Sequence, residues 1–155
     1  MSASSVHAFT VLYDHIENTL SSRVKVDSPF NPQTMSPPDF QREFIAVWDT
    51  GATNSVISRS AATLLNLKPI SYREVQHGGG KENCLLYLVS MLLPHQIIFP
   101  HVEVIESNIS SCDLLIGMDI INQGDLAVSN YQNETAFTFR MPSIQRLDFS
   151  SDKTS

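Results

Sequence analysis

The stretch Phe44-Ile-Ala-Val-Trp-Asp-Thr-Gly-Ala-Thr-Asn-Ser-Val-Ile57 decides how the rest of the chain is read. Five apolar residues, Phe44 to Trp48, read as a buried strand that delivers an acid, a hydroxyl and a glycine at its end. A carboxylate placed there is held by rigid structure, and Gly51, lacking a Cβ, leaves room for another backbone to approach. Asp-Thr-Gly is also ordinary turn chemistry, so these three residues alone leave two readings open: a positioned acid, or the start of a turn.

A second apolar run, Asp113-Leu-Leu-Ile-Gly-Met-Asp-Ile-Ile121, also reaches a glycine and leads into a short helical turn over Met118 to Asn122, stopped by Gly124. In their order and spacing, the strand into Asp49-Thr50-Gly51-Ala52, the helix after it and the later Leu114-Leu115-Ile116-Gly117 turn resemble the retropepsin-like aspartic proteases, among them cellular, bacterial and retroelement members. The resemblance spans residues 40–140. It implies a mainly β fold, a small closed barrel with a short helix, in which the strand ending at Ile116-Gly117 threads beside the Asp-bearing loop.

Such proteases carry a glycine-rich hairpin, the flap, that folds over bound peptide. His77-Gly78-Gly79-Gly80-Lys81 lies in the corresponding interval, between Tyr72-Arg-Glu-Val75 and the run Leu85 to Leu93. By resemblance His77, Gly78, Gly79 and Gly80 contact substrate together with Gly51, Ala52 and Thr53, although the glycines equally suit a plain hairpin turn.

The family needs two aspartates, and this chain has one Asp-Thr/Ser-Gly triplet; Asp113, Asp119 and Asp125 stand in other contexts. One chain therefore supplies half a site, and the resemblance implies a homodimer with Asp49 of each copy on the two-fold axis. Two carboxylates about 3 Å apart repel by about 5–6 kcal/mol at an effective dielectric near 20, so the pair holds one proton, a behaviour for which aspartic proteases are the standing example. The ionised Asp49 takes a proton from a water that attacks the scissile carbonyl, and the protonated one donates to the carbonyl oxygen. The resemblance implies a polypeptide substrate, and this mechanism calls for neither metal nor cofactor. Thr50 is expected to hydrogen-bond across the axis and hold the two loops in register. Ala52 offers no hydroxyl to favour the charged form of the pair, which implies activity in mildly acid to near-neutral solution.

Retroviral members follow the Ile-Gly pair with a basic residue that pairs with an acid just behind the catalytic triplet. Met118 and Thr53 occupy those positions here, so that salt bridge is absent on both sides. A protease-like fold retained as an inactive dimerisation or peptide-binding module is the alternative reading.

The rest of the chain agrees with a single domain over 1–147, with an N-terminal extension, a Pro-rich exposed loop near 27–38 and a flexible polar tail at 148–155. The balance of 10 Lys and Arg against 16 Asp and Glu, net charge −6, gives no reason to approach nucleic acid or anionic lipid. The apolar stretch Cys84 to Leu93 falls short of the roughly 20 residues a membrane helix needs. Met1-Ser-Ala-Ser-Ser-Val-His7 lacks the basic start and apolar block of a signal peptide, so the expected compartment is cytoplasmic.

Cys84 and Cys112 are expected to be buried thiols. The five histidines show no metal spacing, and Gly78-Gly79-Gly80-Lys81 lacks the spacing of a phosphate-binding loop. Strands are expected over Ala8 to Tyr13, Phe44 to Trp48, Leu85 to Leu93, Val102 to Ile105, Leu126 to Val128 and Ala136 to Phe139. A helix is expected to start at the N-cap Ser58, with Ala61, Leu64 and Leu65 on one stripe.

Overall fold

Segments become strands in this chain where every second residue is apolar and has a core to enter. Ser21–Asp27 (β2) buries Ser22, Val24 and Val26 and puts Arg23 and Lys25 on the opposite face. Glu43–Trp48 (β3) buries Phe44, Ala46 and Trp48, while Ile45 is exposed and Val47 half-buried. The five-residue apolar run is therefore core on one side only.

The structure, a computed structural model, describes residues 5–151. The other strands are His7–Leu12 (β1), Val56–Ser58 (β4), Ser71–His77 (β5), Gly80–Leu93 (β6), Ile97–Ser107 (β7), Leu114–Ile116 (β8), Asp125–Ser129 (β9) and Ala136–Met141 (β10). Two short helices, Arg59–Leu64 (α1) and Met118–Ile121 (α2), complete a mainly β architecture.

Seven strands form one sheet in the order β2-β3-β8-β4-β7-β6-β5. Lys25 to Asp27 also pair with Ser90 to Leu92, which joins β2 to β6 and closes six strands into a barrel. β5 is left outside the closure, bonded only to β6. Val24, Val26, Ala46, Ile57, Val89, Val104, Leu114 and Ile116 fill the interior.

A second sheet, β1-β10-β9, lays Phe9, Phe137 and Phe139 against Trp48. The Trp48 ring centroid lies 5.0 Å from that of Phe139 and 5.7 Å from that of Phe137, both tilted, as aromatic quadrupoles prefer. Its indole N–H donates to Ser22 Oγ at 2.9 Å. The residue just before Asp49 is thus gripped from both sheets. The chain ahead of the motif strand supplies β1 to one sheet and β2 to the other, and the loop between β2 and β3, mostly exposed, is anchored by buried Phe30 and Phe40.

Ser58 caps α1, its Oγ accepting from Ala61 N–H at 3.1 Å. The helix is one short run whose buried side carries Ala61 and Ala62, so Leu64 turns outward, 55% exposed, against the stripe expected for it. Both cysteines are free and half-buried rather than buried. Cys84 sits on β6 beyond the last residue paired with β7, and Cys112 lies in the loop before β8; burial still pushes each thiol up. At the C-terminal end Asp148 accepts from Ser150 N–H at 3.0 Å, and residues 152–155 lie outside the described part. No helix among the described residues is long and apolar enough to cross a membrane.

Asp125 opens β9 and stands opposite Arg140 on β10. Its carboxylate accepts from the Ser143 hydroxyl, from Arg140 Nε at 2.9 Å and from Ile144 N–H. These donors, Ser143 first and Arg140 next, hold Asp125 below its ordinary value of 3.8. The stabilisation is present above that value and lost as pH falls through the lowered folded value. Asp125→Asn is expected to flatten the acid limb of a Tm-against-pH curve below about pH 4; an acid limb identical to wild type would refute the assignment.

Candidate active site

β3 ends at Trp48, and the parallel pairing with β8 continues one residue further: Asp49 N–H donates to Ile116 O at 2.9 Å. The chain then turns sharply. Ala52 N–H donates to Asp49 O at 3.2 Å, and Gly51 N–H donates to Asp49 Oδ1 at 2.8 Å, which orients the carboxylate from its own loop. Asp49 and Ala52 are half-buried, while Thr50, Gly51 and Thr53 are exposed.

The loop is held from behind by the start of α2. Met118 N–H donates to Ala52 O at 2.8 Å and Asp119 N–H to Thr53 O at 3.2 Å, so the otherwise unpaired donors of the first helical turn find their acceptors in the Asp49 loop. Gly117 makes this approach possible. A Cβ there would stand 2.7 Å from the Asn54 carbonyl and 2.9 Å from Ala52 O, closer than any side chain permits. Where the retroviral ion pair is missing, the loop is therefore joined to α2 by main chain, Met118 to Ala52 and Asp119 to Thr53.

Behind the loop, the Ser55 hydroxyl is fully buried; it accepts from Gly117 N–H at 3.1 Å and donates to Asp119 Oδ1 at 2.8 Å. Sequence reasoning missed both residues. In the sequence Asp119 reads as an acid outside the triplet, and its partner stands 64 positions away, beyond the reach of a local motif.

The register also draws a row of side chains across the outside of the barrel. Val47 faces Leu115, Leu115 faces Val56, Val56 faces Ile105, and Ile105 faces Leu86. Their strand neighbours Ala46, Trp48, Leu114, Ile116, Ile57, Val104 and Tyr87 are core residues, so the row lies on the other face. Val47, Leu115 and Val56 are half-buried. Beyond Trp48 and Ile116, the last pair of β3 and β8, the two chains enter the Asp49 loop and Gly117. The acid stands beside an apolar strip.

β5 and β6 form a hairpin whose last pair, His77 with Gly80, leaves Gly78 and Gly79 as a two-residue turn. Gly80 has φ +122°, a conformation side chains rarely adopt. Asp49, Thr50, Gly51, Ala52 and Thr53 are thus brought together in one loop, whereas His77 to Gly80 form the tip of a separate ribbon. Arg73 joins the two: its Nη1 donates to Asn54 Oδ1 at 3.2 Å. Among the described residues no three His, Cys, Asp or Glu side chains converge as a metal site requires.

Ser55→Ala is expected to cost about 1–3 kcal/mol in urea unfolding, because it strands the Gly117 N–H away from water. Gly117→Ala is expected to cost more, since backbone must move. Wild-type stability of Ser55→Ala would mean that the hydroxyl does not support the loop.

No protein-family model matches the chain, and no curated protein sequence matches it. Solved structures do. A retropepsin-like aspartic protease from Rickettsia conorii aligns with a TM-score of 0.54 and 10% identity, over 90% of this chain and 98% of that one. The EIAV protease, solved in complex with the inhibitor HBY-793, aligns with a TM-score of 0.50 and 14% identity, over 69% of this chain and 88% of that one. A closed barrel, a loop threaded against Gly117 and these likenesses make this a retropepsin-like aspartic protease fold.

Proposed function

We propose that the chain is an aspartic endopeptidase whose site is completed by a second copy of itself. The observation that carries this reading is the solitary, well-fixed carboxylate of Asp49. It follows a strand gripped by the Trp48 aromatic cluster, its loop is bonded to α2, and its neighbours Thr50 and Gly51 are exposed. The nearby acids are otherwise employed: Asp119 accepts from Ser55, and Asp113 accepts from Ile45 N–H at 2.9 Å. A second catalytic carboxylate must come from another chain.

Two Asp49 groups in such contact share one proton. The charged member accepts a proton from water as that water attacks the peptide carbonyl; the neutral member donates to the oxygen as it becomes tetrahedral. Thr50 and Gly51 belong to the seam between copies, which suits their exposure. An extended peptide pairs its backbone with the Gly51 loop and with the β5–β6 hairpin acting as a flap. Its apolar side chains rest on Val47, Leu115 and Val56, which gives the site a preference for apolar residues beside the cut bond.

Asp49→Asn is expected to lower cleavage of a peptide library by about a thousandfold or more while sedimentation still finds a folded dimer. Full activity in that variant, or a wild-type protein that binds a transition-state mimic of peptide hydrolysis yet never cleaves, would leave only the peptide-binding module. Ala52→Ser adds a hydroxyl donor beside the carboxylates and is expected to move the acid limb of the pH–rate profile downward. A wild-type optimum below about pH 3 would contradict the role given to Ala52.

A further inference from the structure

β6 pairs with β7 only as far as Leu86 opposite Ile105. Beyond it, the pairs from Tyr72 with Leu85 to His77 with Gly80 belong to β5 and β6 alone. The hairpin therefore leaves the barrel as a two-stranded ribbon about 20 Å long, at roughly 3.4 Å per residue. An isolated two-stranded ribbon is marginally stable in water and needs an outside contact to hold an angle.

Arg73 supplies that contact. It stands near the foot of the ribbon, opposite Cys84, on the face shared with half-buried Val75. Its Nη1 donates to Asn54 Oδ1 at 3.2 Å and its Nη2 reaches Glu103 Oε2 at 3.4 Å. These partners lie on two different elements. Asn54 closes the Asp49 loop, its backbone packed against Gly117; Glu103 is on β7, part of the barrel wall. The planar fork of an arginine satisfies two acceptors at once with little loss of freedom, which a lysine cannot match. Another ion pair of the ribbon, Lys81 with Glu74 at 2.8 Å, runs between its own two strands.

We infer that Arg73 is a positioning residue that tethers the β5–β6 ribbon to the loop carrying Asp49 and so sets the angle at which the ribbon covers bound peptide. The inference rests on the protease reading for its purpose, but not for its mechanics. With the tether in place the ribbon is pre-set over the groove, and substrate loses less on binding. Without it, the ribbon swings from its foot while the barrel and the Asp49 loop keep their structure.

The test reads the ribbon and the chemistry separately in the full chain. Arg73→Gln is expected to raise amide hydrogen exchange over residues 72–85 about tenfold while β3 and β8 keep wild-type protection. Peptide KM rises about fivefold, with kcat within twofold, and Arg73→Lys recovers part of both effects. Glu103→Gln, which leaves the Asn54 bond, gives a smaller loosening. Unchanged ribbon exchange in Arg73→Gln overturns the tether whether or not the protein cleaves peptide. Equal loss of protection in ribbon and barrel also overturns it, by showing a general structural role. Ribbon loosening in a protein that never cleaves peptide keeps the tether and removes the protease reading.

Discussion

The approach of Gly117 to the backbone of Ala52 and Asn54 is the constraint on which the rest of the molecule depends. Two segments far apart in sequence meet there at distances that exclude a Cβ. Once they meet, α2 begins with its first N–H groups aimed at the Asp49 loop, and the loop gains acceptors' partners that solvent would otherwise supply. β8 is held between β3 and β4 by the same threading, so the barrel cannot close without forming the site. Stability and site geometry are consequences of one contact.

The two sheets divide the remaining work. The barrel gives a wall of regular pitch, on which Val47, Leu115, Val56 and Ile105 are spaced by strand separation. The three-stranded sheet contributes aromatic bulk behind Trp48, a fully packed residue whose indole N–H is satisfied by Ser22. An acid beside such a core keeps its position because the residue before it cannot change rotamer without opening a cavity. The polar layer between core and acid is small, a buried serine relaying between a backbone N–H and a carboxylate, and it leaves no described buried side-chain polar atom without a partner.

Local chemistry made much of this legible. Phe137 and Phe139 around Thr138 read as a strand with one core face, and that is how β10 sits; Ser58 read as a cap, and it caps. β2 was missed because Arg23 and Lys25 dilute a short alternation that only the closed barrel makes worthwhile, and β4 because three residues carry no period. Burial of β3 on one face was also hidden: an unbroken apolar run looks the same whether its outer side meets core or forms a wall beside an acid. The Asp-Thr-Gly turn and the Leu-Leu-Ile-Gly run were visible as separate signals. What joins them, Ser55 with Asp119 and the main-chain bonds from Met118 and Asp119, exists only after the chain has folded back on itself. Arg73 was invisible for the same reason, since nothing in Tyr72-Arg-Glu-Val75 announces a partner in the Asp49 loop.

A single half-buried carboxylate in an exposed loop gives a further reason for a ribbon held at its foot. In a site assembled from two copies, each half must present its acid and its cover in fixed relation before the copies meet, because the entropy of ordering either one afterwards is subtracted from the binding energy available to substrate. The Asp49 loop meets this need through hydrogen bonds to β8 and α2 that lie wholly within one chain. The ribbon has no such ladder on its outer edge, since β5 is bonded only to β6, and a charged fork near its base links β5 to the Asp49 loop and to β7. In the dimer proposed above, geometry set within each copy leaves the seam a single task, bringing two like charges together, which a shared proton answers without rearranging either half.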